Sequence, residues 1–155
     1  MKRWKIALLA AAVLLPKLGT PAVDVGRLEP VQTVQVIGSE TGVQLRTDTG
    51  AAGSGATLSD AVAALRSAAP KEVFLDTADF LLLWGEMPPT EELLRIFRPA
   101  CGICRADPGT DPAAASAYLR QHPPVRTLGA YDAGLPEVEE LIIREGGGTL
   151  CRIPS

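Results

Sequence analysis

The sequence predicts a single small domain of the α/β or α+β class, with about three helices packed on one mixed sheet. Short apolar stretches that suit strands alternate along the chain with longer stretches in which apolar residues recur at helical spacing. Prolines and glycines separate these stretches. A chain of 155 residues with a hydrophobic fraction of 46% is long enough for one core and short for two.

The first two strands are predicted at Gln32–Ile37 and Val43–Thr47. In the first strand Val34 and Val36 share one face, and the second strand alternates apolar with polar residues, as half-buried strands do. The turn-forming segment Ser39–Gly42 lies between them. We therefore expect an antiparallel hairpin.

A flexible loop and a capped helix are expected next. Gly50–Gly55 consists only of glycine, alanine and serine, which favours a loop. Thr57 and Asp60 have the spacing of a capping box, in which each side chain accepts a hydrogen bond from the other residue's backbone. The helix that they begin should run to about Ala69, because Pro70 cannot continue it.

The rest of the chain alternates between the two kinds of element. A capped helix is expected to follow a pair of prolines, and Asp111 followed by Pro112 has the form of an N-cap and first-turn pair for the next helix. Thr127–Pro136 is expected to be a loop, and the last two strands should close as a hairpin around three glycines. The further strands are predicted at Val73–Leu75, Phe80–Trp84, Ala100–Ala106, Leu141–Arg144 and Thr149–Ile153, and the further helices at Thr90–Phe97 and Pro112–Arg120.

The first 22 residues have the composition of a secretory signal. Lys2, Arg3 and Lys5 precede the apolar run Ile6–Leu15, and small residues follow up to Ala22. The run has 10 residues, whereas a bilayer core requires about 20. We therefore expect residues 1–22 to be a signal peptide or N-terminal membrane anchor and residues 23–155 to be the single domain. The protein should be exported, either to the outer face of the cell membrane or into the medium.

The charge of the domain excludes some classes of partner. Four of the 15 basic residues lie in the leader, so residues 23–155 carry 11 basic and 18 acidic residues, a net charge of −7. A protein that binds nucleic acid needs a basic face, so we expect no nucleic-acid partner. For the same reason, contact with the membrane is expected only through the N-terminal segment.

Three cysteines, Cys101, Cys104 and Cys151, leave one thiol over if two of them pair. Cys101 and Cys104 form a Cys-x-x-Cys motif, which works in redox enzymes when a helix N-terminus lowers the pKa of the first thiol. Here the motif lies in a predicted strand, in which residues three apart point to opposite faces. Buried structural cysteines are the favoured interpretation. A bond from Cys151 to either of the others is more plausible than an active dithiol, and the redox pair Cys101 and Cys104 is the alternative.

Two segments resemble the catalytic turn of an aspartic protease. Asp48-Thr49-Gly50-Ala51 matches it, and Phe74–Ala78 is a partial second copy with Asp76 in the aspartate position. That chemistry requires two such aspartates that share a proton. The two copies are 28 residues apart, which is too close for a two-lobed enzyme. We interpret both as turns at strand ends.

The Gly50–Gly55 segment also outlines a dinucleotide-binding loop, because it lies between a strand and a helix and Asp76 follows about 20 residues later. Its spacing is Gly-x-x-Gly-x-Gly rather than Gly-x-Gly-x-x-Gly, and Gln44 and Arg46 make the preceding strand polar. A hinge-like loop is the ordinary interpretation, and we expect no cofactor. A small-ligand binding loop is a third hypothesis.

The other polar candidates are interpreted as structural. His122, the single histidine, ends a helix, and the sequence offers no Gly-x-Ser-x-Gly elbow to partner it. Asp76 and Asp79 are too few to form a cation cage, and the acidic run at 137–140 is expected to be a solvated face. No catalytic, cofactor-binding or metal-binding residue is assigned.

A resemblance to a known family spans roughly Asp24–Leu119. Gly53–Leu65 contains the pattern G-x-T-hydrophobic-x-x-A-x-x-x-L, and it is followed by Val73–Thr77 and by Phe80–Glu86. Together these segments resemble the N-terminal domain of the C-subunit lipoproteins of spore germinant receptors, the Ger(x)C family. Ala22–Leu28 falls where that family's Cys-Trp-Asp start would lie.

The resemblance implies an extracytoplasmic, non-enzymatic domain that serves a membrane receptor in a spore-forming bacterium. Its partner would be a membrane-associated protein. Ala22 stands where the lipid-bearing cysteine would be, so we expect no lipid anchor. We therefore expect an exported domain that acts by protein–protein contact in spore germination. An extracytoplasmic thiol–disulfide oxidoreductase that uses Cys101 and Cys104 is the alternative.

Overall fold

The computed structural model describes residues 28–132, 138–144 and 147–151. In these residues a seven-stranded mixed sheet carries helices, and two further short strands form a separate parallel pair. This arrangement confirms the predicted class of helices on one mixed sheet. The strands are β1 (Leu28–Pro30), β2 (Thr33–Ser39), β3 (Gly42–Thr47), β4 (Ala52–Gly55), β5 (Glu72–Phe74), β6 (Phe80–Gly85), β7 (Gly102–Ala106), β8 (Glu140–Arg144) and β9 (Gly147–Cys151). The helices are α1 (Leu58–Ala68), α2 (Thr90–Ile96), α3 (Pro112–Leu119) and α4 (Leu128–Asp132), with a 3₁₀ turn at Leu75–Thr77.

The large sheet has parallel strands at its centre and antiparallel strands at its sides. Its order is β4-β3-β2-β6-β7-β8-β9. β2, β6, β7 and β8 are parallel neighbours, joined by crossovers that contain the helices. β3 and β4 fold back antiparallel beside β2, and β9 does so beside β8. The two predicted hairpins are therefore confirmed. In the described part of the chain, β4 and β9 form the two edges.

The two faces of the sheet are covered by different helices. Helices α1, α2 and α4 pack on the first face, and α3 packs on the second face. Alternate residues of β6 and β7 supply the two cores, as the two-residue period of a strand requires. The first-face core includes Val34, Val36, Leu81, Leu83 and Ile103, and the second-face core includes Leu82, Cys104, Ala106, Leu119 and Leu141.

Two of the three helix N-termini that the sequence predicts to be capped have that cap in the structure. The capping box of Thr57 and Asp60 is present at α1, with both reciprocal bonds formed. Asp111 caps α3 by accepting hydrogen bonds from two first-turn amides. The cap expected for α2 is wrong, because Pro89 occupies the N-cap position and makes no side-chain cap bond. A proline side chain has no acceptor to offer to the first-turn amides.

The prediction of a loop at Gly50–Gly55 is wrong, because its second part forms β4. The glycines of this strand serve a close approach of α1. A Cβ atom at Gly53 would lie 2.3 Å from the backbone nitrogen of Leu65, and one at Gly55 would lie 2.7 Å from that of Ala61. Sheet pairing and helix packing therefore override the loop preference of this composition.

The predicted loop at Thr127–Pro136 is also wrong in part, because α4 occupies its beginning. This helix has five residues, which is too short to show a helical period in sequence. Leu128 is buried in the first-face core, and Tyr131 packs against it. Residues 133–136, at the end of the predicted loop, lie outside the described residues.

In the portion of the chain that the structure describes, no helix has the length and apolar character needed to cross a bilayer. Residues 1–27, which include the expected leader, are outside that portion. So are Glu137, in the acidic run, and residues 152–153, which were predicted to belong to the last strand.

Candidate functional site

The structure does not bring Cys101 and Cys104 together. Cys101 precedes β7 and belongs to the first-face core, whereas Cys104 lies within β7 and belongs to the second-face core. Both side chains are buried and both thiols are free. The sheet itself separates the two sulfur atoms, as the period of an extended strand predicts. This geometry gives a redox pair no support.

The pKa values of the two thiols also give a redox pair no support. Burial raises the pKa of Cys101 from 9.0 to about 12, despite the nearby positive charge of Arg98. Burial also raises the pKa of Cys104 from 9.0 to about 12, and the charge of Glu139 adds to this effect. A redox-active thiol needs the opposite shift, because the thiolate is the nucleophile. The burial expected for the two side chains is confirmed.

The suggested bond from Cys151 to one of the other cysteines is not formed. Cys151 is exposed on β9, opposite Glu140 of β8, which in turn is opposite Arg105 of β7. Cys151 is therefore two strands away from β7, a distance of about 10 Å. A disulfide requires Cα atoms less than about 7 Å apart.

Asp48 and Asp76 lie in separate turns and do not form a dyad. The carboxylate of Asp48 accepts hydrogen bonds from the backbone N–H of Gln32 at 3.2 and 3.3 Å and from the Ser116 hydroxyl at 3.2 Å. It thus ties the β3–β4 turn to the start of β2 and to α3. Asp76 is exposed in the 3₁₀ turn and lines a different surface depression. These positions agree with a role in turns.

The glycine-rich segment does not have the geometry of a phosphate-binding loop. β4 turns back along β3 before α1 begins, so its glycines face the helix backbone rather than open space. The N-terminus of α1 already holds the carboxylate of Asp60, which lies 3.3 Å from the backbone nitrogen of Thr57 and 2.8 Å from its hydroxyl. A bound phosphate would compete with this negative charge.

The other polar candidates have local partners. His122 stacks on Tyr118 with ring centroids 4.5 Å apart. Asp79 forms an exposed ion pair with Arg98 at 2.8 Å. Glu139, in the acidic run, accepts an exposed hydrogen bond from the Val125 backbone N–H at 2.8 Å. Among the described residues, no group of three or more histidine, cysteine or acidic side chains is placed to hold a metal ion.

Sequence reasoning missed a polar cluster on the second face. Gln35 is fully buried, and its side-chain amide donates a hydrogen bond of 2.8 Å to the backbone carbonyl of Asp107. Arg46 donates to the Gln35 side-chain oxygen at 3.2 Å and to the carbonyl of Pro108 at 2.9 Å. The cluster fixes the β7–α3 connection across the sheet. A polar residue between Val34 and Val36 was the signal for it.

The edge of β4 is the other feature that the sequence did not reveal. The Thr47 N–H donates to the Ala51 carbonyl at 2.9 Å, which identifies these two residues as a hydrogen-bonded pair. Because such pairs alternate along an antiparallel ladder, Gly53 and Gly55 bond to β3, and the backbone groups of Ala52 and Ser54 point outward. We call this row of outward groups on residues 52–55 the β4 edge.

Comparison of the chain with protein-family models, with curated proteins and with solved structures finds no match.

Proposed function

We propose that this protein is exported and acts without catalysis, by protein–protein contact at the outer face of the cell membrane. Its role would resemble that of an accessory component of a spore germinant receptor, and its partner would be a membrane-associated protein. The observation that carries the proposal is the leader, in which a basic start, a short apolar run and small residues follow one another within residues 1–22.

The charge of the domain supports the same location and mode of action. The net charge of −7 over residues 23–155 disfavours adhesion to anionic lipid and to nucleic acid. Attachment to the membrane would then depend on the N-terminal segment and on a protein partner. The membrane-spanning role belongs to that partner in this proposal.

Three of the segments that carry the family resemblance, Gly53–Leu65, Val73–Thr77 and Phe80–Glu86, contribute to the first-face core, which also supports the proposal. Gly53–Leu65 forms most of β4 and α1, and the two pack directly on each other. Phe80–Glu86 contains β6, which lies beside β2 at the centre of the same sheet. These three segments thus belong to one packed core rather than to scattered surface positions.

Export is tested first, by locating the protein in a spore-forming host. The full chain should be accessible to protease added to intact cells after removal of the wall. A Leu9→Arg variant, which interrupts the apolar run, should stay inside the cell, and Leu9→Ile should behave as the original chain. Wild-type protein found inside the cell and protected from protease would contradict the proposal.

Contact with a receptor is tested by cross-linking in intact cells and by germination assays. A cross-linker that cannot enter the cell should join the protein to a membrane protein, and the Leu9→Arg variant should give no such product. Deletion of the gene should slow the response of spores to small-molecule germinants. An exported protein that gives no membrane-protein product and no germination defect would refute the receptor role and leave export standing.

A further inference from the structure

The carboxyl ends of β6 and β7 form a switch point in the sheet. The two strands are adjacent and parallel. The connection after β6 leads to α2 on the first face, whereas the connection after β7 leads to α3 on the second face. Connections that diverge in this way leave a crevice between them, and open α/β sheets bind small ligands in such crevices. We call the two strand ends with the loops that follow them, residues 83–88 and 105–110, the β6–β7 crevice.

The loop after β7 is held over the second face. The buried Gln35 side chain donates a hydrogen bond of 2.8 Å to the Asp107 carbonyl, and Arg46 donates one of 2.9 Å to the Pro108 carbonyl. Both donors lie on the second face, because Gln35 is in register with Arg46 on one side and with Leu82 of the second-face core on the other. These bonds keep the loop off the first-face side of the crevice and fix its shape before a ligand binds.

Arg105 places a positive charge at the carboxyl end of β7. Its side chain is exposed, although β7 has a neighbouring strand on each side. The side chain lies on the first face, because Ile103, two residues earlier, belongs to the first-face core. With respect to the residues that the structure describes, the Arg105 guanidinium makes no hydrogen bond and no ion pair. Its planar fork of donors therefore remains available to a carboxylate.

Three acidic residues belong to the same end of the sheet. Glu86 follows β6, Asp107 follows β7, and Glu140 of β8 lies beside Arg105 in the register. With Arg105 they give one positive and three negative charges, a net charge of −2. A ligand that is only an anion would be repelled by this field, whereas a ligand that also carries a positive group would be attracted. Among the described residues these carboxylates do not form a group that could hold a metal ion.

We propose that the β6–β7 crevice binds a small amino acid with an apolar side chain. Arg105 donates hydrogen bonds to the ligand carboxylate, and the ligand ammonium group donates to the carboxylates of Glu86 and Asp107. The half-buried side chains of Met87 and Pro108 offer apolar surface to the rest of the ligand. For a ligand of this size we expect a dissociation constant of roughly 0.1 to 10 mM. The site does not depend on export or on a receptor partner.

The proposal is tested by titrating the full chain with leucine and recording amide NMR spectra. Leucine should produce saturable shifts at residues 83–88 and 105–110. Isocaproate, which lacks the ammonium group, and isoamylamine, which lacks the carboxylate, should each bind at least about 10-fold more weakly. Saturable shifts confined to other residues, or no saturable shift up to about 50 mM leucine, would overturn the proposal. Isocaproate or isoamylamine that bound as tightly as leucine would also overturn it.

A pair of variants tests the role of Arg105. Arg105→Gln removes the charge and keeps an exposed polar side chain, and it should weaken leucine binding at least about 10-fold. Arg120→Gln, the matched control, removes an exposed charge at the other end of α3 and should bind leucine as wild type does. Unchanged binding by a folded Arg105→Gln variant would overturn the proposal. If Arg105→Gln fails to fold, the comparison of leucine with its two analogues on wild type decides the matter. None of these outcomes affects the export experiment.

Discussion

Replacing Gly53 by alanine tests whether the glycines of β4 serve helix packing. An alanine Cβ would lie 2.3 Å from the backbone nitrogen of Leu65 and 2.5 Å from the backbone oxygen of Ala61. Real Cβ contacts of this kind are about 1 Å longer, so α1 must move away from β4. Rotation of a side chain cannot relieve the collision, since the opposing atoms belong to the helix backbone.

The expected loss of stability follows from two opposing effects. Overpacking of a tight site costs about 1 to 3 kcal/mol, and the rigid neighbours here place Gly53→Ala at the upper end of that range. Alanine also restricts the unfolded chain more than glycine does, and this effect stabilises the folded state by about 0.5 kcal/mol. We therefore expect a net loss of about 2 to 3 kcal/mol, or about 8 to 12 °C in Tm for a domain of this size.

Thermal unfolding followed by circular dichroism measures this loss, with Ser54→Ala as the control. Ser54 is exposed on the same strand and points to the other face, so its replacement should change the free energy of unfolding by less than about 0.5 kcal/mol. If Gly53→Ala unfolded within about 2 °C of wild type, the close contact between α1 and β4 would be refuted. The glycines would then need another explanation, and a ligand-binding loop would be the first to consider.

Four further measurements address the buried thiols, the helix cap and the polar cluster. In the folded protein at about pH 8, a thiol reagent should modify Cys151 but not Cys101 or Cys104, because burial raises the pKa of these two thiols to about 12. Rapid modification of all three cysteines before unfolding would contradict the assigned burial. The contribution of the two buried thiols to the free energy of unfolding should be complete below about pH 9. It should decline between about pH 9 and about pH 12, because in that range only the unfolded chain releases the thiol protons. Denaturant titrations at several pH values should show a shallower decline for a Cys104→Ala variant than for wild type. Thr57→Ala should lower the free energy of unfolding by about 1 kcal/mol relative to Thr57→Ser, and equal stabilities would argue against the capping box. Gln35→Leu should lower the free energy of unfolding by about 1 to 3 kcal/mol, because the Asp107 carbonyl and the Arg46 guanidinium lose their hydrogen bonds to the buried Gln35 side chain. An unchanged free energy of unfolding in urea would show that the polar cluster is dispensable.

The elements that could be predicted from sequence are those that local rules specify. The β2–β3 hairpin has alternating residues on both sides of a polar turn, and α1 begins at a capping box and ends before Pro70. β6 could be recognised as a buried strand from the apolar run at its start. In each case the signal lies within a few residues of the element itself, so no knowledge of the tertiary structure is needed.

The features that were missed depend on contacts between distant segments. β4 looks like a loop because its glycines are selected by the backbone of α1, which lies over them. α4 is stabilised by burial of Leu128 rather than by its own length. The polar cluster joins Gln35 to a loop carbonyl 72 residues later in the chain, and only the folded topology brings them together. A single sequence contains no local signal for contacts of this kind.

The packing of α1 and the exposure of the β4 edge have a common physical cause. Gly53 and Gly55 must lack side chains because the helix backbone approaches them directly. The two alternate positions, Ala52 and Ser54, are small as well, so β4 as a whole carries no bulky or charged group that would protect its outward hydrogen-bonding groups. A lysine at Ala52 would restore such protection without touching α1, because that side chain lies on the opposite face of the strand. Gly53→Ala should therefore lower the free energy of unfolding, whereas Ala52→Lys should leave it within about 0.5 kcal/mol of the wild-type value.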